Sequence, residues 1–204
     1  MSDISIDNLD KGYEQSKGIS DLIVNEGKDS LLEEFQLTIQ DLKQHWVSSD
    51  AAEHINNLIA MYRTLGGHLN NLVGNIKNSA DGIIGIQTLR AANGGGGQPG
   101  AKLRDSMDIK GIDEAVQTSG YNLDAEDAKR IYTKLKDLSD KYETFMQTIN
   151  VKKDDLFNNW KKGANRESVR GAFETLDSQK EKNRELFSNV LSKVGEAFNN
   201  SDKL

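Results

Sequence analysis

Apolar residues recur along the chain at steps of three and four. Phe35, Ile39, Leu42 and Trp46 step by four, three and four, which places them on one face of a helix. Ile23 or Val24, Leu31 and Leu32 carry that stripe backwards. After Trp46 the pattern breaks at Val-Ser-Ser-Asp, where Asp50 followed three residues later by Glu53 reads as an N-cap and capping box. A second stripe then runs from Ile55 through Leu58, Ile59, Tyr62, Leu65, Leu69, Leu72 and Val73 to Ile76, weakened at Gly66, Gly67 and Gly74 by about 1 kcal/mol each relative to alanine. The sequence predicts a helix, a tight polar turn and another helix.

The second half repeats the design. Ile131, Leu135, Leu138, Tyr142, Phe145 and Ile149 alternate the same steps, and Leu156 and Trp160 resume the face. Asp124 is placed as its N-cap, ahead of an acidic first turn at Glu126 and Asp127. Beyond Trp160, Gly163 suits a left-handed C-cap and Asn165 the next N-cap. A last stripe extends from Val169 to Phe198, interrupted between Gln179 and Asn183. Laying Trp46 on Trp160 without gaps pairs Leu42 with Leu156, Leu32 with Met146, Ile55 with Val169, Ile59 with Phe173, Leu72-Val73 with Leu186-Phe187, and Ile76 with Val190. These coincidences in one register identify an internal duplication.

Between the copies, residues 82–120 hold nine of the 18 glycines, with Gly94 to Gly97 in a run and Pro99, the single proline, beside them. That composition is a linker's. The chain thus divides into a first helical hairpin (residues 1–81, turn at Trp46–Asp50), a Gly-rich linker (82–120), and a second hairpin (121–204, turn at Trp160–Asn165) with a C-terminal tail. The expected fold is all-α: two tandem helix-turn-helix hairpins packed as an antiparallel four-helix bundle. Helices of about 28 residues would be roughly 40 Å long, and the linker spans that. Fusion holds the second hairpin at roughly millimolar effective concentration, so a monomer with a dimer-like interior is expected.

Composition narrows the function classes. Of 204 residues 36% are hydrophobic, 28% charged and 6% aromatic, which suits long helices with one buried stripe. No run approaches the roughly 18 apolar residues of a membrane span, so no membrane insertion is expected. Met1–Asp10 lacks the basic-then-apolar pattern of a cleavable leader. The absence of cysteine excludes thiolate metal sites and cysteine nucleophiles. Net charge is -6, with 8 basic against 13 acidic residues in 1–102 and 18 against 19 in 103–204. Neither half has the basic excess of a nucleic-acid binder.

Candidate chemistry is sparse. His45, His54 and His68 have no His-x-x-x-His spacing, and His54, one turn after Asp50, is expected to pair with it or cap. The acidic pairs Glu33-Glu34, Glu126-Asp127 and Asp154-Asp155 point apart on helices and read as solvated faces, as do Lys180, Lys182 and Arg184. Gly95 to Lys102 misses a phosphate loop, with Leu103 where Ser or Thr is needed and no strand pattern before it. No metal, cofactor or enzymatic activity is expected.

A helical hairpin whose turn carries Trp, a small residue and then an apolar helix resembles the WXG (early-secreted-antigen) family of type VII, ESX-like, secretion in Gram-positive bacteria and mycobacteria. The first copy reads Trp46-Val47-Ser48, with serine in the glycine place, and the second Trp160-Lys161-Lys162-Gly163, with glycine one place late. Members are usually about half this length and pair into a four-helix bundle; here the resemblance covers both halves and leaves out the linker. It implies export without a cleavable signal peptide, from the cytoplasm to the outside. The implied partners are the translocase ATPase and a toxin's helical targeting domain or another WXG-like protein. The family's Tyr-x-x-x-Asp/Glu tail signal has as its counterpart Phe198-Asn199-Asn200-Ser201-Asp202. Phe198 and Asp202 read either as that signal or as a last core residue and a solvated charge. Trp46 and Trp160 read either as packing across their turns or as lining a groove for a partner, with Lys161 and Lys162 suggesting that the second turn is the more open. The reading of another class is a cytoplasmic helical-bundle adapter unconnected with secretion.

Overall fold

The computed structural model describes residues 9–47, 49–115, 124–161 and 164–201. The chain forms four helices packed together, and no strand occurs among the described residues. The first helix joins α1 (Leu9–Leu22), a π-helical stretch (Ile23–Leu32) and α2 (Glu33–His45). The second is α3 (Ser49–Ala92) and the third α4 (Ala125–Asn159). The fourth is α5 (Ala164–Ser178) and α6 (Lys180–Ser201), separated by a turn at Gln179 in the interruption of the last apolar stripe.

The π-helical stretch follows from the spacing of buried positions. Ile19, Ile23, Gly27, Leu31, Phe35 and Ile39 are all buried and each lies four residues from the next. On an α-helix each step of four overshoots a full turn by about 40°, so such a run would wander off the core face. The wider turn with i→i+5 bonds takes up the overshoot and returns Phe35 and Ile39 to the interior. Asp124 caps α4 as expected: its Oδ1 accepts the Asp127 backbone N–H at 2.9 Å.

Several boundaries differ from the sequence expectation. α1 begins at Leu9, well before the first readable stripe, because buried Ser16 and Ser20 dilute its apolar face. α3 runs to Ala92, past residue 81, since the buried set continues at Ala80, Ile83 and Gln87 while Gly85 sits in open space. Helices α3 and α5 begin at Ser49 and Ala164, which puts Asp50 and Asn165 inside the first turn, not at the cap. Ser48 and Gly163 lie outside the described residues. Residues 95–115 form no helix; they run as an irregular strap.

Two compact units are each assembled from three pieces of chain, so neither corresponds to one hairpin. One comprises Met1–Lys28, Gly67–Asp108 and Met146–Ser178. Its core includes Leu9, Tyr13, Ala80 and Ile83, with Leu103 of the strap packed against them. The Tyr13 hydroxyl donates to the Ala101 carbonyl at 2.9 Å, and the Gln87 amide accepts from the Gly100 N–H at 3.0 Å while donating to Asp10 at 2.7 Å. Asn70 closes on one strap residue: its Oδ1 accepts the Met107 N–H at 2.6 Å and its Nδ2 donates to the Met107 carbonyl at 3.1 Å.

The other unit comprises Asp29–Gly66, Ile109–Phe145 and Gln179–Leu204. An aromatic cluster fills it: Phe35 meets Tyr62 edge-on at 5.8 Å and Phe187 at 5.7 Å, and Tyr142 lies 5.9 Å from Phe187. The buried Asn183 donates to the Tyr142 hydroxyl at 3.0 Å. On α3, Asn56 holds Ala115 as Asn70 holds Met107, with bonds of 2.7 and 3.2 Å. Tyr62 and Arg63 donate to the carbonyls of Lys110 and Ile112 at 2.8 and 2.7 Å.

Phe35 is fully buried and touches two other rings, so Phe35→Ala should cost about 3–5 kcal/mol in urea unfolding with an unchanged m-value. In the first unit, burial holds the His68 imidazole below its ordinary value of 6.5, and its Nδ1 is buried without a partner among the described residues. The folded state then binds fewer protons than the unfolded one, so this stability is present above 6.5 and is lost as pH falls through the depressed value. Melting temperatures taken from pH 8 down to 5 should decline, and His68→Leu should flatten that decline.

Candidate recognition sites at the tryptophan turns

In the unit that contains Asp29–Gly66, Trp46 ends α2. Its backbone is extended (φ -106°, ψ 90°), and its N–H still closes the helix onto the Leu42 carbonyl at 2.8 Å. The indole is buried, 6% exposed, and stacks on His54 at 5.6 Å and 10°. His54 thus partners the tryptophan, which the Asp50 spacing did not suggest. The turn returns α3 beneath the ring, so the two side chains eight residues apart lie face to face.

Beside this turn lies a charge network that no local spacing predicted in full. His45 Nδ1 is 2.8 Å from Asp127 and Nε2 is 3.5 Å from Asp41. Arg130 bridges Asp41 and Asp127, and Lys134 reaches Asp41 at 2.6 Å. Burial by itself would push the Asp41 carboxyl up, but hydrogen bonds from Arg130 and Lys134, reinforced by their charges, outweigh it and hold it below its ordinary value. Hydrogen bonding from Arg130, aided by His45, likewise lowers Asp127, and the carboxylates of Asp41 and Asp127 in turn raise Arg130. Glu34 pairs with Lys141, and Arg184 with Glu143 and Glu181. Glu34, Asp127 and Arg184 are therefore tied to facing or neighbouring side chains, in place of the solvated faces that their spacing suggested. The pairs that local helical spacing allows are Asp41–His45 at i,i+4 and Asp127–Arg130 and Glu181–Arg184 at i,i+3.

In the unit that contains Met146–Ser178, Trp160 repeats the arrangement at the end of α4. Its N–H closes onto the Leu156 carbonyl at 3.0 Å, and the indole is 7% exposed, as buried as that of Trp46. The reason is Arg166. Its Nε donates to the Trp160 carbonyl at 2.6 Å while the guanidinium covers Phe157 at 4.9 Å, and Phe157 packs on Trp160 at 6.4 Å and on Phe173 at 6.0 Å. Trp160 also lines a cavity of about 10 Å³ with Ser16, Ser79, Ile83 and Leu156, where the buried Ser16 hydroxyl has no hydrogen-bond partner among the described residues.

The folding thus puts Trp46 and Trp160 in different units and leaves both as packed rings. Phe198 lies within α6, but its side chain, like the whole of Asp202, is outside the described residues. Among the described residues no group of three or more His, Asp or Glu side chains has metal-holding geometry, and no helix is long and apolar enough to cross a membrane. What the turns offer chemically is aromatic and charged surface at their rims: the edge of the His54–Trp46 stack, the half-exposed His45 and Arg130, and the Arg166–Phe157 pair.

Asp41 gives the network a pH signature. Its depressed folded value means that its contribution is present above the ordinary 3.8 and is lost as pH falls through the lowered value. Urea midpoints measured between pH 5 and 2 should fall steeply for the wild type, whereas Asp41→Asn should start lower at pH 5 and lose less on acidification.

No protein-family model matches the chain, and neither does any curated protein or solved structure.

Proposed function

We propose that this protein is a tandem, single-chain WXG-like protein: two helical hairpins packed antiparallel as an intramolecular pseudo-dimer, serving as a non-enzymatic substrate or adapter of a type VII secretion system. The observation that carries the reading is the equivalence of the two tryptophan turns in one gapless register. Each tryptophan ends a helix, closes by its N–H onto the leucine four residues back, and buries its ring to within 7% of completeness. The register extends to the packing. Leu32 and Met146, Ile55 and Val169, Ile59 and Phe173, Val73 and Phe187, and Ile76 and Val190 are all buried, as two copies of one ancestral hairpin require.

In this proposal the protein is made in the cytoplasm and exported without a cleavable signal peptide. The C-terminal tail, with Phe198 as aromatic anchor and Asp202 as acid, engages the translocase ATPase. Residues four apart on a helix share a face, so the two groups can be presented together. The bundle surface, including the rims of the turns at Trp46 and Trp160, pairs with a toxin's helical targeting domain or another WXG-like protein, and the chain itself stays monomeric.

The test is partition between culture supernatant and cells in a Gram-positive host with a type VII system, with and without its translocase ATPase. ATPase-dependent appearance outside is expected, and the double variant Phe198→Ala/Asp202→Ala should stay inside the cells with unaltered helical circular dichroism. Retention of the wild type in both strains would overturn the proposal.

A further inference from the structure

We propose that the face of α3 bearing Asn56, Tyr62, Arg63 and Gly66 is a binding seat for an extended, acidic peptide segment of a partner protein. The chain's own Ile109–Ala115 fills that seat in cis and lifts to admit the partner. The inference is independent of the secretion reading, since it rests on how this one segment is held.

The seat binds main chain. The Asn56 amide meets both backbone groups of a single residue, accepting the Ala115 N–H at 2.7 Å and donating to its carbonyl at 3.2 Å. Tyr62 Oη donates to the Lys110 carbonyl at 2.8 Å, Arg63 Nη2 to the Ile112 carbonyl at 2.7 Å, and Lys43 Nζ of α2 to the Asp113 carbonyl at 2.7 Å. Four side chains from two helices thus do for this segment what a neighbouring strand does in a sheet. Such contacts are indifferent to the segment's side chains and accept any extended backbone.

Selectivity comes from three further positions. Ile112 is buried. Ile109 lies where Gly66 leaves room for it: a Cβ at residue 66 would stand 3.0 Å from the Ile109 Cδ1 and 3.2 Å from its Cγ2. Glu114 meets Arg63 Nη1 at 3.2 Å. The ligand so described is an extended segment with two aliphatic residues three apart and an acid two places after the second. Lys43 and Arg63 make the seat cationic, opposite in sign to that ligand.

The cis segment is lightly held. Lys110, Gly111, Asp113 and Glu114 are exposed, and Ile112 is the one buried residue between 109 and 115. Segments with so few buried apolar contacts open at a small fraction of the global unfolding free energy.

The experiment uses the full-length protein and a fluorescent peptide of residues 108–115, read by anisotropy. In the wild type the peptide competes with a cis segment at roughly millimolar effective concentration. Ile109→Asp/Ile112→Asp spoils the segment and spares the seat, and should bind the peptide at least about tenfold more tightly than the wild type. Adding Asn56→Ala/Arg63→Ala, or Gly66→Leu, should abolish the gain. Equal affinity in wild type and released variant, or a gain insensitive to those seat substitutions, would overturn the proposal. So would a stable dimer of the released variant that the peptide splits, because the seat would then belong to a second copy of this chain. Should the released variant lose its helical circular dichroism, hydrogen exchange on the wild type decides. Amides of 110–115 exchanging ahead of α3 support the seat, and exchange only together with α3 refutes it.

Discussion

Every element answers to the need to cover α3. This helix is 44 residues long and carries buried side chains from Ala51 to Gln87. A helix of that length in a chain with 36% hydrophobic and 28% charged residues has one apolar stripe and otherwise polar flanks. The stripe is met by residues from the other three helices, and their irregularities are adjustments to it. The π-helical stretch keeps a run of four-residue steps facing inward, and the turn at Gln179 sits where the last stripe is interrupted. Phe35, Tyr62, Tyr142 and Phe187 bring one ring from each of the four helices into contact, which fixes the rotation of each helix about its axis within that unit.

The strap poses the opposite problem. An extended segment without a neighbouring strand leaves its backbone N–H and C=O groups unpaired, and a polar group so left beside a protein surface is costly. Asn56, Tyr62, Arg63, Asn70 and Gln87 supply the missing partners from one helix. Gly66 lets the strap come close: an added Cβ there would lie 3.0 Å from the Ile109 Cδ1. A glycine that weakens α3 as a helix therefore serves the strap, and its loss in helix propensity of about 1 kcal/mol is offset by contacts outside the helix.

That exchange explains what was legible and what was not. The stripes of α3 and α4, the Asp124 cap and the register joining Trp46 to Trp160 depend on residues close in sequence, and periodicity exposes them. The end of α3 was hidden because Gly82 and Gly85 resemble linker composition, although the buried positions Ala80, Ile83 and Gln87 keep their helical spacing through them. The strap was hidden because its partners on α3 are amides, a hydroxyl and a guanidinium, residue types that read as solvent-facing when only α3 is considered. The Arg166 clamp on Trp160 was hidden because lysines at 161 and 162 suggested openness, while the closing guanidinium comes from the next helix. The export tail was readable as a pattern at Phe198 and Asp202, and patterns of that kind become sites only through a partner.

The register joining Trp46 to Trp160 also sets the strap's partners against their counterparts in the second half. In the register set by the tryptophans, the positions equivalent to Asn56 and Asn70 are Arg170 and Arg184. An amide both donates and accepts, so it can close on the N–H and the carbonyl of one residue; a guanidinium only donates and cannot. Arg170 instead pairs with Glu167 and Glu174, and Arg184 with Glu143 and Glu181. Lys180 stands in the place of Gly66. At these positions the second half has charge pairs where the first has main-chain hydrogen bonds. Its Leu186, equivalent to the buried Leu72, is left half-exposed in a groove of about 320 Å³ with Met61 and Asn183. At register-equivalent positions the two halves thus differ in hydrogen-bonding type, amides on α3 closing on the strap backbone and guanidiniums on α5 and α6 pairing with carboxylates.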